Sequence, residues 1–349
     1  MTQRLAEVAK YVGVSEATVS RVLNGKPGIA DGTRTAVLTA LDVLGYERPT
    51  KLRGERARMV GLVLPELQNP IFPAFAEVVA GTLARRGFTP VLCTRTGAAV
   101  SEADYVDMLL DQHVSGVIFA GGNYAEAAAD HEHYFRLRER GLPVVLVNAA
   151  IDDLGFPCVA TDDRHAVDQA YNHLVSLGHS SIGLVLGPSD HVPSHRKQEA
   201  FEALAGDSAG LVERTMFSME GGRLAATRLV KRGVTGIVCA SDVLALGAMK
   251  AVRRLGLSVP ADVSTVGFDD SAFMTCTDPP LTTVRQPIDA MGHAAVALLA
   301  SQVAGNPVPT DEMLFEPELV VRGSTGPVGS RDSANRRPRL KGPALAKGL

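Results

Sequence analysis

The strongest constraint on the fold is a change in hydrophobic pattern at Met59. From there on, continuous apolar runs rich in β-branched residues alternate with helical stretches of about 12 to 18 residues. Runs that are apolar throughout are typical of strands buried on both faces of a parallel sheet. The pattern therefore predicts a doubly wound α/β body, and the number of strands favours two lobes. The clearest runs are Met59–Leu64, Pro90–Cys93, Gly116–Ala120, Pro143–Val147, Ile182–Leu186, Gly236–Ala240 and Val263–Gly267.

Residues 4–46 show a different pattern, which predicts three short helices and no strand. The first helix has an apolar stripe at helical spacing, and Gly13 interrupts it. Ser15 can cap the second helix, which runs to Asn24-Gly25. The third begins near Asp31 and stops at Gly45. A helix, a glycine-containing turn and a capped second helix are the parts of a helix-turn-helix.

In a helix-turn-helix the N-terminal residues of the second helix face base edges in the major groove. Arg21 can recognise guanine, Glu16 can accept from cytosine, and Ala17 is small enough to contact a thymine methyl. Thr18, Ser20 and Asn24 are candidate phosphate contacts, and we include Ser15 in the candidate DNA-binding set. The alternative is a solvated helix in a small three-helix domain.

Charge is distributed unevenly along the chain. Residues 1–58 carry a net +4, residues 59–324 carry −12, and residues 325–349 carry +5. A basic head on an acidic body indicates that the head binds a polyanion. Residues 49–58 form a basic connector, and the Pro-, Gly- and Arg-rich residues 325–349 predict a disordered tail. The four cysteines show no C-x-x-C pair and predict small core residues.

Several motifs resemble those of lac-repressor (LacI/GalR) family regulators. They are LAEVAKYVGVSEATVSRVLNG, TRTAVLTALDVLGY, VGLVLPELQNPIFPAFAEVV, HLVSLGHSSIGLVLG, ASDVLALGAMKAVRRLGLSVPADVSTVGFDD, DPPLTTVRQP and LVVRGST, and they span residues 4–324. The resemblance implies a homodimer on a near-palindromic operator. It also implies an effector domain similar to periplasmic sugar-binding proteins, with three crossovers between its lobes.

The domain boundaries combine the pattern with this resemblance. We expect a helix-turn-helix domain at 1–48, a hinge or linker at 49–58 and an effector-binding and dimerisation domain at 59–324. Lobe 1 is expected at about 59–158 and 288–316, and lobe 2 at about 159–287 and 317–324. The chain lacks C-terminal leucine heptads, which favours a dimer over a tetramer.

The connector departs from the family pattern. It is several residues short of the segment that forms a minor-groove-wedging helix in relatives, and Gly54 weakens any helix there. Leu52 matches the wedging residue, and Arg53 is a candidate phosphate or minor-groove contact. We hypothesise that this chain bends its operator less than relatives with full-length hinges. Arg4 and Ala30 also stand where relatives usually have Thr or Ser.

Ligands of open α/β sheets bind beyond the carboxyl ends of the strands. Amides, hydroxyls and carboxylates that follow predicted strands suit a hydroxyl-rich ligand, and two phenylalanines supply apolar faces for a sugar ring. For each polar residue the alternative is an ordinary helix cap or turn residue. The candidates from position alone are Asn69, Phe72, Asn148, Asp162, Asp163, Ser241, Asp242, Phe268, Asp269 and Asp270.

The resemblance supports Asn69, Phe72, Asn148, Ser241 and Asp269 as effector contacts. Relatives usually carry Arg three residues before a Gly-aromatic pair, where this chain has Lys197 before Ala200-Phe201. Lys197 keeps the cation, and Arg196 is the candidate to supply a bidentate fork. The final set of ten predicted effector residues is Asn69, Phe72, Asn148, Asp162, Arg196, Lys197, Ser241, Asp242, Phe268 and Asp269. A sugar or sugar phosphate is favoured as effector, with a purine or other metabolite as alternatives, and release of DNA on binding is the favoured response.

Two other function classes compete with a repressor. The chain lacks nucleotide-binding, P-loop, nucleophile-elbow and zinc-protease motifs, which argues against an enzyme and predicts no cofactor or metal. His131 and His133 lie in a charged stretch and are expected to face solvent. A secreted solute-binding protein is the other alternative. The helix-turn-helix and the lack of a signal-peptide pattern argue against it. No stretch is apolar enough to span a membrane, so the expected compartment is the cytoplasm.

Overall fold

The computed structural model of the chain describes residues 2–23, 26, 28–44, 58–94, 100–150, 154–206 and 210–329. The chain divides into two compact units, which we call the head (Met1–Met59) and the body (Val60–Leu349). Each is described by itself. None of the described helices is long and apolar enough to cross a membrane.

The described residues of the head form three helices: α1 (Thr2–Val12), α2 (Glu16–Leu23) and α3 (Asp31–Val43). Each helix turns one apolar side toward the other two, as its helical spacing predicts. The core is small and built mostly from β-branched and small residues. It consists of Val8, Ala9, Val19, Val22, Val37, Ala40 and Leu41. The predicted helix-turn-helix arrangement is therefore confirmed.

The body contains eight helices and twelve strands within its described residues. The helices are α4 (Ile71–Arg85), α5 (Glu102–Asp111), α6 (Glu132–Glu139), α7 (Asp163–Ser176), α8 (Val192–Ala205), α9 (Met219–Lys231), α10 (Asp242–Arg254) and α11 (Ile288–Val303). The strands are β1 (Arg58–Leu64), β2 (Phe88–Thr94), β3 (Gly116–Phe119), β4 (Val144–Val147), β5 (Cys158–Thr161), β6 (Ile182–Leu186), β7 (Val212–Arg214), β8 (Gly236–Cys239), β9 (Ser264–Asp269), β10 (Thr282–Arg285), β11 (Glu312–Phe315) and β12 (Glu318–Val320).

The strands form two six-stranded sheets. The first has the order β11-β5-β4-β3-β1-β2 and the second β12-β10-β9-β8-β6-β7. Pairing is parallel in the registers β1–β3, β3–β4, β4–β5 and β5–β11, and again in β7–β6–β8–β9–β10. Strand β12 runs antiparallel to its neighbour, β10. The predicted doubly wound α/β body is confirmed.

The chain passes between the sheets three times, after β5, after β10 and between β11 and β12. Helices α4 and α11 bury Phe75, Leu83 and Leu299 with the strands of the first sheet. Helices α7 to α10 do the same for the second sheet, where the apolar cluster is larger. Parallel strands covered by helices in this way explain why the strand runs are apolar throughout.

Two glycines set the packing of α9 on α10. A Cβ atom added at Gly222 would lie 2.2 Å from the Leu244 carbonyl oxygen, and one at Gly247 would lie 2.1 Å from the Met219 carbonyl oxygen. Neither oxygen can move away, since both belong to helical backbone. The two helices therefore lie close because each presents a glycine to the other.

Strand pairing moves one expected boundary. Cys158–Thr161 pairs with β4 and β11 of the first sheet, whereas the sequence analysis ended the first segment of lobe 1 at about residue 158. The lobe boundary in the chain thus falls after Thr161. The sequence analysis also did not identify β7, β10, β11 and β12, whose residues are polar or half-buried and lack a continuous apolar run.

The start of the expected tail is packed on the body. The Val328 amide donates to the Leu177 carbonyl at 3.0 Å, and the Gly326 amide donates to Ser264 Oγ at 3.1 Å. His179 is buried beneath this segment, with Nε2 3.0 Å from the Gly326 carbonyl oxygen. Burial lowers the pKa of His179. Residues 325–329 therefore belong to the folded body, while 330–349 lie outside the described residues.

Two further expectations fail. Cys93, Cys158 and Cys239 are buried as predicted, but Cys276 is exposed because it follows the short helical turn Ala272–Thr275 rather than a strand. His133 is buried instead of facing solvent, with Nε2 3.1 Å from Glu102 Oε1. A buried carboxylate from the preceding helix, α5, makes this position suitable for a histidine.

Candidate DNA interface and effector cavity

Helix α2 presents its polar residues on one face. Glu16, Ala17 and Arg21 are exposed, whereas Val19 and Val22 are fully buried in the head core. Residues four apart lie on the same side of a helix, so Ala17 and Arg21 form a contiguous exposed strip. This arrangement leaves the N-terminal turn of α2 accessible to a groove, as expected from the sequence.

Ser15 caps α2. Its Oγ accepts from the Thr18 amide at 3.1 Å and lies 2.9 Å from Thr18 Oγ1, while the Ser15 carbonyl accepts from the Val19 amide. These bonds satisfy backbone donors that a helix leaves unpaired at its start. Thr18 and Ser20 are half-buried, so they offer less surface to DNA than Glu16 or Arg21.

Three residues of the predicted DNA-binding set, Asn24, Leu52 and Arg53, lie outside the described residues. Their roles stay predictions, as does the hypothesis of a weakly bent operator, which depends on the connector.

The body contains a cavity of about 330 Å³ between the carboxyl ends of its two sheets. Residues after β3 and at the end of β4 line one side, and residues after β8 and at the end of β9 line the other, as the strand-end rule predicts. Its size falls within the range of small-molecule sites. Seven of the ten predicted effector residues line it: Asn69, Phe72, Asn148, Lys197, Ser241, Phe268 and Asp269.

Asp269 joins the two lobes inside the cavity. Gln286 Nε2 donates to its Oδ1 at 2.7 Å, and Asn69 Nδ2 lies 3.4 Å from its Oδ2. Its backbone has φ +122°, in the region that side chains other than glycine rarely adopt. Burial, followed by the charge of Asp242, raises the pKa of Asp269. Such local strain and burial are typical of ligand-binding positions.

Asn148 and Ser241 hold backbone as well as lining the cavity. Asn148 has φ +70°, which asparagine tolerates better than most residues, and its Oδ1 is 3.4 Å from the Thr161 amide nitrogen. Ser241 Oγ accepts from the Leu244 amide at 3.2 Å and so caps α10. Ser241 is therefore both a helix cap, the alternative role considered for these polar residues, and a residue of the cavity wall.

Three predicted effector residues lie outside the lining. Asp162 caps α7 by accepting from the Arg164 and His165 amides. Arg196 Nη1 pairs with Glu312 Oε1 at 2.7 Å. Asp242 is fully buried behind the cavity, where it accepts from Thr283 Oγ1 at 2.6 Å and from the Ser271 amide at 2.8 Å. Each carboxylate or guanidinium is already engaged by a nearby structural partner, so it points elsewhere.

Several lining residues were absent from the predicted effector set. Gln286 follows β10, a strand that the apolar pattern did not identify, so the strand-end rule was not applied there. His191, Ser194 and Phe217 lie in loops or at a helix start that carry no strand signal. Asp163 was among the strand-end candidates, but its neighbour Asp162 was chosen for the final set. In the structure Asp163 lines the cavity and Asp162 does not.

Lobe 2 supplies a polar and aromatic wall. Lys197 Nζ lies within hydrogen-bond distance of Asp163 Oδ1 and 4.0 Å from the centroid of the Phe268 ring. One face of Phe268 is therefore occupied by a cation instead of being free for a sugar. Burial, and then the charge of Lys197, lowers the pKa of His191 to about 4, so its ring is neutral at pH 7.

A buried polar network supports the loop at Gly121–Gly122. Tyr124 Oη accepts from the Gly121 amide at 2.7 Å and lies 3.0 Å from the Phe119 carbonyl oxygen. Glu102 Oε2 accepts from the Asn123 amide at 3.2 Å, and its other oxygen contacts Tyr134 Oη. This network fixes the backbone of the cavity wall on the lobe 1 side.

The lobes also meet at the cavity rim. Glu126 and His191 form an antiparallel backbone bridge, and the Ala127 amide donates to the Asp190 carbonyl at 2.8 Å. With Asn69–Asp269 and Arg196–Glu312, these contacts hold the two lobes against each other. Among the described residues no cluster of His, Cys, Asp and Glu has the makeup of a metal site.

Comparisons with known proteins agree with both halves of this description. Residues 4–49 match the family model "Bacterial regulatory proteins, lacI family", and residues 171–325 match "Periplasmic binding protein-like domain". The HTH-type transcriptional regulator reg1 of Streptomyces lividans is 53% identical over 335 residues, which cover 93% of this chain and 97% of that protein.

Solved structures extend the comparison to bound states. The "transcriptional regulator CelR-cellobiose complex" is 31% identical with a TM-score of 0.69, covering 92% of this chain and 99% of that one. The "lac repressor dimer bound to operator and the anti-inducer ONPF" is 27% identical with a TM-score of 0.69, covering 91% and 98%. The chain therefore belongs to the lacI family of DNA-binding transcriptional regulators, which are not enzymes.

Proposed function

We propose that the chain is a transcriptional repressor that binds a near-palindromic operator as a homodimer and releases it when a sugar binds in the cavity. One observation carries the proposal: a helix-turn-helix whose second helix has an exposed face occurs in one lacI-family chain with a polar-apolar cavity. The relative bound to cellobiose supports a sugar ligand, and the relative solved as a dimer on its operator supports the assembly. Since the proposed partner is chromosomal DNA, the proposed compartment is the cytoplasm.

The DNA-binding part of the proposal assigns roles along α2. Glu16, Ala17 and Arg21 contact base edges, since they are exposed at the start and on one side of the helix. Ser15, Thr18 and Ser20 contact phosphates and fix the register. Two such helices in a symmetric dimer would bind half-sites one helical turn apart, which makes the operator near-palindromic.

The effector part assigns the cavity to a sugar. Asn69, Asn148, Gln286 and Asp269 offer hydrogen-bonding groups that suit hydroxyls, and Phe72 and Phe217 offer apolar surface for ring carbons. Because the polar set comes from both lobes, a ligand bound to all of it favours one arrangement of the lobes. A ligand shifts DNA affinity only through such a difference in affinity between two states.

Selection of genomic fragments by the purified chain tests the proposal. We expect enrichment of one or a few sites with two inverted half-sites, a symmetric footprint and a dimeric mass by sedimentation. Cellobiose and other uncharged sugars, added singly, should include one that lowers the affinity for the enriched site. A chain that prefers no fragment over bulk DNA, with or without sugars, contradicts the proposal. A sugar that tightens operator binding contradicts the proposed release of DNA on sugar binding.

A further inference from the structure

The wall of the cavity contains a buried ion pair. Lys197 on α8 and Asp163 at the start of α7 have side chains only 6% and 5% exposed, and both line the cavity. The ammonium group contacts Asp163 Oδ1 and lies over the Phe268 ring. Burying two charges is costly unless their remaining donors and acceptors are satisfied. This pair therefore requires further polar partners.

One of those partners is missing within the described part of the chain. Asp163 Oδ2 is buried and has no hydrogen-bond partner there, whereas Oδ1 is held by Lys197. Burial raises the pKa of Asp163, and Lys197 opposes that shift. An unpaired buried carboxylate oxygen is strongly unfavourable, so a donor that reaches it gains more than an ordinary hydrogen bond. A ligand hydroxyl in the adjacent cavity is such a donor.

The charges of the described lining residues are unfavourable for an anionic ligand. Lys197 is the only Lys or Arg among the described lining residues, and Asp163 neutralises it. The other charged side chains there are carboxylic acids, namely Glu66, Glu126 and Asp269. His191 carries no charge at pH 7. A phosphate or carboxylate would lose its water shell without gaining an uncompensated cation.

We propose that Asp163 and Lys197 act as one neutral pair that binds adjacent hydroxyl groups of an uncharged sugar and so rejects phosphorylated or carboxylated sugars. One hydroxyl donates to Asp163, and its neighbour accepts one of the ammonium protons that Asp163 does not use. This inference rests on the proposed sugar-binding function and specifies the chemical class of that sugar.

The decisive variant is Asp163→Asn, which keeps the shape but leaves the charge of Lys197 uncompensated. Calorimetric titration would use uncharged mono- and disaccharides, cellobiose first, each paired with its 6-phosphate. We expect the wild type to bind an uncharged sugar at least about 100-fold more tightly than its phosphate, which corresponds to a penalty for an unpaired buried charge. In the variant, affinity for the uncharged sugar should fall about tenfold or more. The ratio of its affinities for the uncharged sugar and for the phosphate should also become smaller.

Asp162→Asn is the matched control, because it makes the same change one residue away on a side chain outside the lining. Asparagine caps helices as well as aspartate does, so this variant should bind like the wild type. Thermal melting of both variants would verify that they fold. If Asp163→Asn does not fold, deoxy analogues of the bound sugar test the same contact on the wild-type chain, where loss of one adjacent pair of hydroxyls should reduce affinity most.

The outcomes separate this inference from the proposed function. Wild-type affinity in Asp163→Asn, a phosphate bound more tightly than its parent sugar, or equal affinity for all deoxy analogues would overturn the pair's role while leaving a sugar-responsive regulator intact. A wild-type chain that binds no sugar, charged or uncharged, would overturn both.

Discussion

The head and the body place their candidate functional side chains in opposite physical settings. In the head they stand exposed on a regular helix above a core of seven small apolar residues. In the body they are buried or half-buried at strand ends, where Asn148 and Asp269 adopt positive φ. A recognition surface can therefore change in the head with little effect on folding. In the body some candidate binding residues, such as Asn69 and Asp269, also hold the two lobes together.

The largest expected effect distinguishes the two cores. Leu41→Ala in α3 removes a leucine that is 4% exposed from the small head core, at a cost of about 2–5 kcal/mol. That is a large share of the stability of a domain this size, so specific DNA binding should be lost. Sugar binding, measured by calorimetry, should not change. Leu62→Ala in β1 is the matched change in the body, and it should lower the melting temperature of the body. Loss of sugar binding in Leu41→Ala would show that the head and body fold as one unit.

The next effect isolates the cavity. Asp269→Ala removes a proposed contact to a sugar hydroxyl together with the acceptor of Gln286 and Asn69. Effector affinity should fall by roughly 10- to 100-fold, because a buried polar group left without its partner costs about 1–3 kcal/mol. Operator affinity without effector should stay within a factor of about two, as expected if the sites in the two units are energetically independent. Titration of operator release against sugar concentration measures both. Asp269→Asn keeps a residue that tolerates positive φ, so a smaller loss in that variant would separate hydrogen bonding from backbone strain.

The same contrast explains what the sequence predicts and what it does not. Helix spacing is local, so α2, its Ser15 cap and the buried Val19 and Val22 follow from the residues themselves. The apolar runs predicted most inner strands of the two sheets but missed β10, where the buried Thr282 and Thr283 interrupt the apolar pattern. The apolar pattern did not predict the edge strands β7, β11 and β12, because an edge strand is only partly covered and lacks a continuous apolar run.

The cavity shows a second limit. The strand-end rule placed Asn148, Ser241 and Asp269 in it, because the position of a strand's carboxyl end follows from its sequence. It could not decide between Asp162 and Asp163, since a residue at a helix start can either cap the helix or face a ligand. That choice depends on Lys197, which lies more than 30 residues further along the chain and contacts Asp163. Long-range pairing of this kind leaves no local signal.

A smaller effect tests whether exposed head residues read sequence. Arg21→Ala should cost about 1–3 kcal/mol of operator affinity and relax the preference at one base pair in each half-site. The melting temperature of the head should hardly change, because Arg21 lies outside the core. Binding measured on the operator and on random DNA separates the two roles of an arginine. Equal losses on both would mean that Arg21 only neutralises phosphate. Lys10→Ala on α1 serves as a control for the loss of one positive charge.

The smallest effect is a difference in acid sensitivity. All nine histidines lie between residues 113 and 293, so the head contains none. Burial lowers the pKa of His191 from 6.5 to about 4. The unfolded chain thus binds this proton more readily than the folded one, and the contribution of His191 to stability is full above pH 6.5 and is lost as the pH falls toward 4. At pH 5.5 protonation linked to His191 lowers the free energy of unfolding by about 1 kcal/mol. This corresponds to a fall of about 2–4 °C in the melting temperature of a domain this large. His191→Gln should flatten the decline between pH 6.5 and 4, whereas His195→Gln, at an exposed position on α8, should leave it unchanged. An equal slope in wild type and His191→Gln would show that the acid sensitivity of the body comes from other groups.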